Sequence, residues 1–218
     1  MGESENTMLS HGNSKIKKTG QRLGKKAACF DLPAGHTCPM ANECKSMVVK
    51  RNGARKRVDF GKFVCYATKA ELCYTATYNM RKSNLHETTL KRFVSGMIGE
   101  IVKSKVEIVR IHSSGDFYNW TYFQKWVAIA KSLPNVQFFA YTKQATFVKW
   151  LRDNPVPNFS MVYSCGGLMD EYASDNNLPT CYVVMTKDNP PAPIICNDDK
   201  TDDFETIVNN KSFSLMVH

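Results

Sequence analysis

Apolar and polar residues alternate over the second half of the chain in the manner of a layered α/β protein. Between residues 88 and 103, apolar side chains recur at spacings of three and four, which predicts a helix with one apolar face. Further along, short apolar runs alternate with amphipathic stretches, and this pattern predicts a parallel sheet with helices packed on it. The predicted strands are 106–111, 136–141, 159–164 and 180–185, and the helices between them are 119–133 and 145–153.

Turn signals organise the rest of the chain. Asn52-Gly53 stands between two short runs and predicts a β-hairpin. Residues 1–26 have few apolar and many charged side chains, so we expect a flexible basic arm. A single α/β domain, residues 27–218, should follow the arm. Within it, the pattern also predicts strands at 27–32 and 212–218 and a helix at 66–78.

The composition limits the class of protein. The chain has 218 residues, 43% of them hydrophobic, which is enough for one sizeable core. No apolar run approaches the roughly 18 residues of a membrane span. The first residues lack the basic and apolar segments of a secretory signal. We therefore expect a cytoplasmic protein without a membrane partner, in which thiols stay reduced.

Polar residues follow the predicted parallel strands. Because the carboxyl ends of parallel strands meet at one edge of a sheet, these side chains should lie close together, where α/β proteins bind ligands. Turn formation, or capping of the next helix by Asp116, is the alternative explanation for individual members. The set comprises His112, Ser113, Gly115, Asp116, Thr142, Lys143, Ser164, Gly166 and Gly167.

The positive charge is unevenly placed. The net charge is +9, and the excess of lysine and arginine lies in the first half of the chain. Two basic clusters favour a polyanionic partner such as nucleic acid, although a solvated surface without a partner is the alternative. The residues expected to contact phosphates are Lys15, Lys17, Lys18, Arg22, Lys25 and Lys26 in the first cluster, and Lys50, Arg51, Arg55, Lys56, Arg57 and Lys62 in the second.

Three cysteines lie within thirty residues: Cys38, Cys44 and Cys65. In a reducing compartment, eight cysteines favour metal binding or chance burial over a disulfide framework. For a fourth thiolate we rank Cys196 first, because it stands beside polar turn residues, then Cys73 and Cys165. The short paired knuckles of zinc ribbons and the runs typical of ferredoxins are both absent. Spacing alone therefore leaves zinc and an iron–sulfur cluster open.

Several ordered motifs resemble the bacteriophage family called gene product 88. They are C-P-x-A-x-x-C at 38–44, C-Y-A at 65–67, R-I-H-S-S-G-D-F-Y at 110–118, F-F-A-Y-T-K at 138–143 and C-x-D-D at 196–199. The chain departs from the family pattern at Met40, where glycine is usual. Cys73 falls where the family has no expected cysteine.

The resemblance implies an iron–sulfur protein, with a 4Fe–4S cluster held by Cys38, Cys44, Cys65 and Cys196. It also implies a partial (β/α) barrel, or an open mostly parallel sheet, similar to radical S-adenosylmethionine enzymes. The turn Ser114-Gly115-Asp116 looks like a relative of the Gly-Gly-Glu turn that binds the methionine amine in those enzymes. With Lys143, these residues form the expected cofactor-binding group.

Three functions fit the sequence. The first is a nucleic-acid-binding iron–sulfur protein with a structural or redox-sensing cluster, in which exposed members of Phe60, Phe63 and Tyr66 stack on bases. The second is a radical S-adenosylmethionine-like enzyme, which needs three thiolates and an open iron. The third is a zinc-stabilised interaction module. We favour the first.

Overall fold

A computed structural model describes residues 7–184, 186, 188–197 and 203–216. Most of the described chain is built on one eight-stranded sheet, and a separate two-stranded hairpin projects from it. The hairpin strands are β3 (Ser46–Arg51) and β4 (Ala54–Asp59). The sheet strands are β1 (Leu9–Ser10), β2 (Ala27–Phe30), β5 (Ile108–Ile111), β6 (Gln137–Thr142), β7 (Phe159–Ser164), β8 (Thr180–Val184), β9 (Ile195–Asn197) and β10 (Phe213–Met216).

Helices connect most of these strands. None of the described helices is long and apolar enough to cross a membrane. The helices are α1 (Ser14–Leu23), α2 (Tyr66–Cys73), α3 (Thr75–Thr89), α4 (Phe93–Ser104), α5 (Trp120–Ser132), α6 (Ala145–Asp153), α7 (Asp170–Asp175) and α8 (Asp203–Val208).

The sheet is mostly parallel, as the alternation of strands and helices predicts. Its strand order is β1-β2-β5-β6-β7-β8-β10-β9, with β1 antiparallel to β2 and the other pairs parallel. The expectation of a mixed α/β fold with a mostly parallel sheet is confirmed. The carboxyl ends of β2, β5, β6 and β7 therefore meet at one edge, where the predicted site residues follow.

The two faces of the sheet carry two cores. Side chains alternate along β5, so that Val109 and Ile111 enter the larger core while Ile108 enters the smaller one. Trp126, Phe123 and further aromatic residues fill the larger core. The smaller core includes Ile16 of α1 and residues of α8.

The hairpin forms where the sequence predicts it. The strands β3 and β4 pair in an antiparallel register from Ser46↔Asp59 to Arg51↔Ala54. Asn52 and Gly53 both have positive φ, 51° and 80°, as a two-residue type I′ turn requires. Asn119 caps α5, as expected, by accepting a hydrogen bond from the Tyr122 N–H at 2.8 Å.

Other elements differ from their predictions. Where we expected a mobile arm, α1 packs on the sheet with Ile16 buried, and Asn13 caps its first turn. The helix expected from residue 88 begins at Phe93, because Leu90 adopts an extended conformation after α3. The helix expected over 66–78 is broken at Tyr74, which is also extended. Residues 1–6, Met185, Asp198-Asp199 of the late motif and the end of the last predicted strand, 217–218, lie outside the described residues.

Candidate functional site

Cys38, Cys44 and Cys65 lie near enough for their thiols to interact electrostatically, but they are not grouped closely enough to hold a metal ion. Burial raises the pKa of the Cys38 thiol well above its usual range, and the Asp116 carboxyl and the thiols of Cys65 and Cys44 raise it further. Burial likewise raises the pKa of Cys65, to which Cys44 contributes. The thiols of Cys38 and Cys65 therefore lie within electrostatic range of Cys44, and the metal site inferred from the spacing stays a prediction.

Hydrogen bonds fix the cysteine loop against the hairpin. The Cys65 N–H donates to Ser46 Oγ at 2.8 Å, which joins the start of α2 to the start of β3. The chain turns at Gly35, which has φ 71°. A Cβ at this position would lie 2.2 Å from the Ser46 carbonyl oxygen, so only glycine fits.

A buried ionic network connects the same loop to α2 and α3. The Arg81 guanidinium of α3 donates to Glu71 Oε1 at 2.9 Å and lies 3.6 Å from Asp31. Glu71 in turn accepts from the Ala34 N–H at 2.8 Å. Arg81 also donates to the Ala67 carbonyl, so it links α3, α2 and the segment after β2.

Asp31 extends this network to the loop after β5. Its carboxylate accepts hydrogen bonds from the Ser113 N–H at 2.7 Å and the Ser114 N–H at 3.2 Å. Sequence reasoning missed Asp31, Glu71 and Arg81. The available signal was weak: Asp31 directly follows an apolar strand, but its partners lie far away along the chain.

The predicted turn Ser114-Gly115-Asp116 packs directly on the cysteine loop. Gly115 has φ 82°, and a Cβ there would lie 2.6 Å from both Leu32 Cβ and Thr37 Oγ1. Ser114 Oγ donates to the Leu32 carbonyl at 2.9 Å. The turn that resembles a cofactor-binding motif thus contacts the residues immediately before Cys38.

Asp116 and Lys143 are both buried at this edge, and their polar atoms are engaged within the protein. The Asp116 carboxylate accepts from Thr142 Oγ1 at 2.6 Å and from the Lys143 N–H at 2.8 Å. Burial raises the pKa of Asp116 to about 6 against the opposing effect of these hydrogen bonds. The Lys143 amine donates to the carbonyls of Ser164 and Cys165 at 2.9 and 2.8 Å. Their role toward a cofactor stays a prediction.

The loop after β7 is hydrogen-bonded to the cysteine loop. The Glu43 N–H donates to the Gly166 carbonyl at 3.2 Å, and the Leu168 N–H donates to the Met40 carbonyl at 2.9 Å. Asp170 orders this loop by accepting from the N–H groups of Gly166 and Gly167. The predicted Gly-Gly pair therefore borders the cysteine loop, whereas Asp170 was not singled out in the sequence.

The candidate fourth ligands occupy different places. Cys196 is buried in β9, beside Leu215 of β10, with its Sγ 3.7 Å from Thr206 Oγ1. Cys73 is exposed, and Cys165 Sγ lies 3.5 Å from Asp170 Oδ2. Among the described residues, no three His, Cys, Asp or Glu side chains are grouped so as to hold a metal ion. As a donor set, the thiols of Cys38, Cys44 and Cys65 suit a soft metal or an iron–sulfur cluster.

The second basic cluster lies on the two hairpin strands and in the segment that follows them. Lys50, Arg51 and Lys56 are exposed along it. Other members have partners: Arg55 donates to Thr75 and Leu72, Arg57 pairs with Asp59, and Lys62 pairs with Glu43. A groove between the hairpin and α2–α3 is lined by Lys50, Gly53, Ala54, Arg55, Leu72, Thr75, Tyr78 and Asn79.

All three aromatic residues expected to stack on bases are exposed. Phe60 is 61% exposed, Phe63 53% and Tyr66 71%. Tyr66 does not rotate freely, because its hydroxyl donates to the Ser113 carbonyl. The segment that connects the basic hairpin to the cysteine site thus presents apolar rings to solvent.

The first basic cluster lies elsewhere. Lys15 pairs with Asp203 at 2.8 Å and Arg22 with Glu205 at 2.7 Å, so both join α1 to α8. Lys17, Lys18, Lys25 and Lys26 are exposed. Because Lys25 and Lys26 precede β2, they stand at the amino edge of the sheet, opposite the cysteine site.

Comparison with known proteins identifies the family. The family model described as Gene product 88 matches residues 5–213. A "Gene 88 protein" of Mycobacterium phage L5 is 31% identical over 114 residues, and that of Mycobacterium phage D29 is 30% identical over 112. Each alignment covers 46% of this chain and 47% of the relative, so the chain spans about half the length of these curated relatives. No solved structure matches it. The chain therefore belongs to the phage gene product 88 family.

Proposed function

We propose that the protein binds single-stranded nucleic acid through the basic hairpin and the rings of Phe60, Phe63 and Tyr66. The observation that carries this proposal is the exposure of all three rings in the short segment after the hairpin. Soluble proteins seldom leave several large apolar side chains in one exposed patch without a partner. The neighbouring lysines give the patch the charge of a polyanion-binding surface.

In this proposal, base stacking and electrostatic attraction make separate contributions to the binding free energy. Unpaired bases stack on aromatic rings, which contributes about 1–3 kcal/mol for each base and tolerates any sequence. The exposed Lys50, Arg51 and Lys56 would meet the phosphates and release counterions. Tyr66 has a fixed orientation because of its hydrogen bond to Ser113, so it loses less freedom on stacking.

Replacing the rings tests the proposal. We expect the double variant Phe60→Ser/Phe63→Ser to bind a fluorescein-labelled oligothymidylate at least tenfold more weakly than the wild type in fluorescence anisotropy, since about 1–3 kcal/mol is lost at each ring. Val102→Ser is the matched control, because Val102 of α4 is also 60% exposed and apolar. Equal binding by the double variant and the control would contradict the stacking surface.

We further propose that Cys38, Cys44 and Cys65 hold an iron–sulfur cluster, 4Fe–4S, with Cys196 as the fourth thiolate predicted by the resemblance. When bound, such a cluster supplies a structural cross-link and a one-electron couple. In this proposal the chain supplies three partly buried thiols, and the hydrogen bonds of Arg81 to Ala67 and of Cys65 to Ser46 would support the loops that carry them. Zinc is the alternative metal, and an anaerobically purified protein distinguishes them, because an iron–sulfur protein is brown and a zinc protein colourless.

One observation favours a second function, a radical S-adenosylmethionine-like enzyme. Gly115 packs against Thr37, and Asp116 acts electrostatically on Cys38, so the turn and the thiols adjoin at the carboxyl edge of the sheet. That edge is where parallel α/β folds bind ligands. The deciding assay is reductive cleavage of S-adenosylmethionine by reconstituted protein. Cleavage that disappears in Cys38→Ser supports the enzyme, and no cleavage excludes it.

A further inference from the structure

Arg110 differs from Arg55 and Arg81, the two other arginines whose Nε is buried without a partner among the described residues. Its Nε is buried without a hydrogen-bond partner, and its guanidinium lies over the ring of Tyr141, 4.9 Å from the ring centroid. Arg55 and Arg81 also have an unpartnered Nε, but their terminal nitrogens donate to neighbouring oxygens. Within the described residues, Arg110 makes no such bond.

The position of Arg110 is that of a ligand-binding residue. It is the third residue of β5, one before the carboxyl end, and lies between Cys29 of β2 and Phe139 of β6. By alternation it projects from the face of the smaller core. The phenol of Tyr66, a residue that is 71% exposed, interacts electrostatically with Arg110, so the two side chains lie near each other.

The acidic groups around Arg110 already have partners. Asp203 pairs with Lys15 at 2.8 Å and accepts a hydrogen bond from the Tyr141 hydroxyl. Asp31, which shares Cys29 and Tyr66 as neighbours with Arg110, is bonded to Ser113, Ser114 and Arg81. The guanidinium thus keeps its positive charge and its donors without a counter-ion bonded to it.

A half-buried guanidinium in this state is costly for a protein to keep unless something binds to it. Its planar array of N–H donors matches the two oxygens of a carboxylate or a phosphate. We propose that Arg110 is the anchor of a binding site for the anionic group, phosphate or carboxylate, of a small ligand that enters beside Tyr66. This site adjoins the proposed nucleic-acid surface at Tyr66, but Arg110 itself is not part of that surface.

Thermal unfolding with inorganic phosphate and with acetate tests the site, using sodium chloride to match the ionic strength. The wild type should gain melting temperature with one of the two anions. A response to phosphate alone identifies a phosphate ester, and a response to acetate alone identifies a carboxylate. The apparent affinity should fall at least about tenfold in Arg110→Lys, which keeps the charge but loses the paired donors. Arg57→Met on the hairpin is the control and should respond like the wild type.

Arg110→Met supplies an independent readout. Without added anion it should melt at a higher temperature than the wild type, because it removes a half-buried charge that has no hydrogen-bonded counter-ion among the described residues. A purely structural arginine would give the opposite result. The proposal is overturned if the wild type responds to neither anion, if Arg110→Lys keeps the full response, or if Arg110→Met melts at a lower temperature than the wild type.

Discussion

His112 combines two unfavourable features at one residue. Its φ is 66°, in the left-handed region that few residues other than glycine adopt, although asparagine, aspartate and histidine do so more often than the rest. It is also buried among Phe30, Phe117 and Tyr122, with Nε2 2.8 Å from the Tyr122 hydroxyl and Nδ1 without a partner among the described residues. Such strain at the end of β5 is typical of a site whose geometry is constrained by function.

The burial of His112 predicts acid sensitivity. Burial, together with the charge of Arg110, lowers its pKa to about 3. The unfolded chain therefore takes up a proton below about pH 6.5 while the folded chain does not, so stability is complete above that pH and declines as the pH falls toward 3. Between pH 6 and pH 4, the unfolding free energy of the wild type should fall more steeply than that of His112→Asn. The difference between the two slopes should be up to about 1.4 kcal/mol per pH unit.

Urea unfolding at each pH measures this difference. Asparagine is the chosen replacement because it tolerates the left-handed conformation, so its neutral side chain changes the titration with little added backbone strain. Parallel curves for the two proteins would show that His112 titrates normally in the fold.

At the level of elements, the ionic network of Asp31, Glu71 and Arg81 joins α2 and α3 to the loops after β2 and β5. Two buried carboxylates share one buried guanidinium, and N–H and hydroxyl donors from Ala34, Ser113 and Ser114 stabilise the remaining negative charge. Both sides of the candidate site, the cysteine loop and the Ser114 turn, are therefore held by one arginine.

Arg81→Met should remove the ionic link of α3 to α2 and to the segment after β2. It leaves two buried carboxylates without their cation, and we expect a loss of about 3–5 kcal/mol in unfolding free energy. Hydrogen exchange of residues 33–44 should accelerate as well. The control Arg92→Met removes an exposed pair with Glu87 and should have no measurable effect. Equal stability of both variants would contradict the bracing role.

Elements with a local signal were predictable from the sequence. The Asn52-Gly53 turn, the Asn119 cap and the strands 159–164 and 180–184 follow from residues that stand next to each other. The helix α1 was missed because it has few apolar residues. One of them, Ile16, is buried only by packing against sheet residues that come later in the chain. Arg81 and Asp31 were missed for the same reason, since their contact joins residues far apart in sequence.

At the level of the whole molecule, the chain connects its hairpin, its cysteine loop and its sheet edge into one region. Cys38 and Cys44 follow β2, Cys65 precedes α2, and Ser114-Gly115-Asp116 follows β5. The sequence predicted that the polar turns after the parallel strands would meet at one edge of the sheet, but not that the cysteine loop and the hairpin would lie beside them. It did not predict that Cys196 would lie in the smaller core, since the pairing of β9 with β10 has no local signal.

Cysteine variants test the proposed metal site. After anaerobic reconstitution with iron and sulfide, Cys38→Ser, Cys44→Ser and Cys65→Ser should lose most of their iron, and the exposed Cys73→Ser should keep it. The resemblance predicts that Cys196→Ala also loses iron, and full iron content in this variant contradicts the four-thiolate assignment. Because ligation couples to folding, the cluster-bound protein should melt at a higher temperature than the cluster-free protein.

The salt dependence of binding to single-stranded nucleic acid tests the central claim most directly. We expect the wild type to bind a labelled oligothymidylate at low salt, with an affinity that falls steeply as salt rises. In Lys50→Gln/Lys56→Gln the slope of log affinity against log salt should be smaller by about 1.4, since each phosphate contact contributes about 0.7. Lys91→Gln/Lys131→Gln, which removes the same charge from exposed positions away from the hairpin, should keep the wild-type slope. Absence of binding at low salt, or equal slopes for the two double variants, would contradict a nucleic-acid surface on the hairpin.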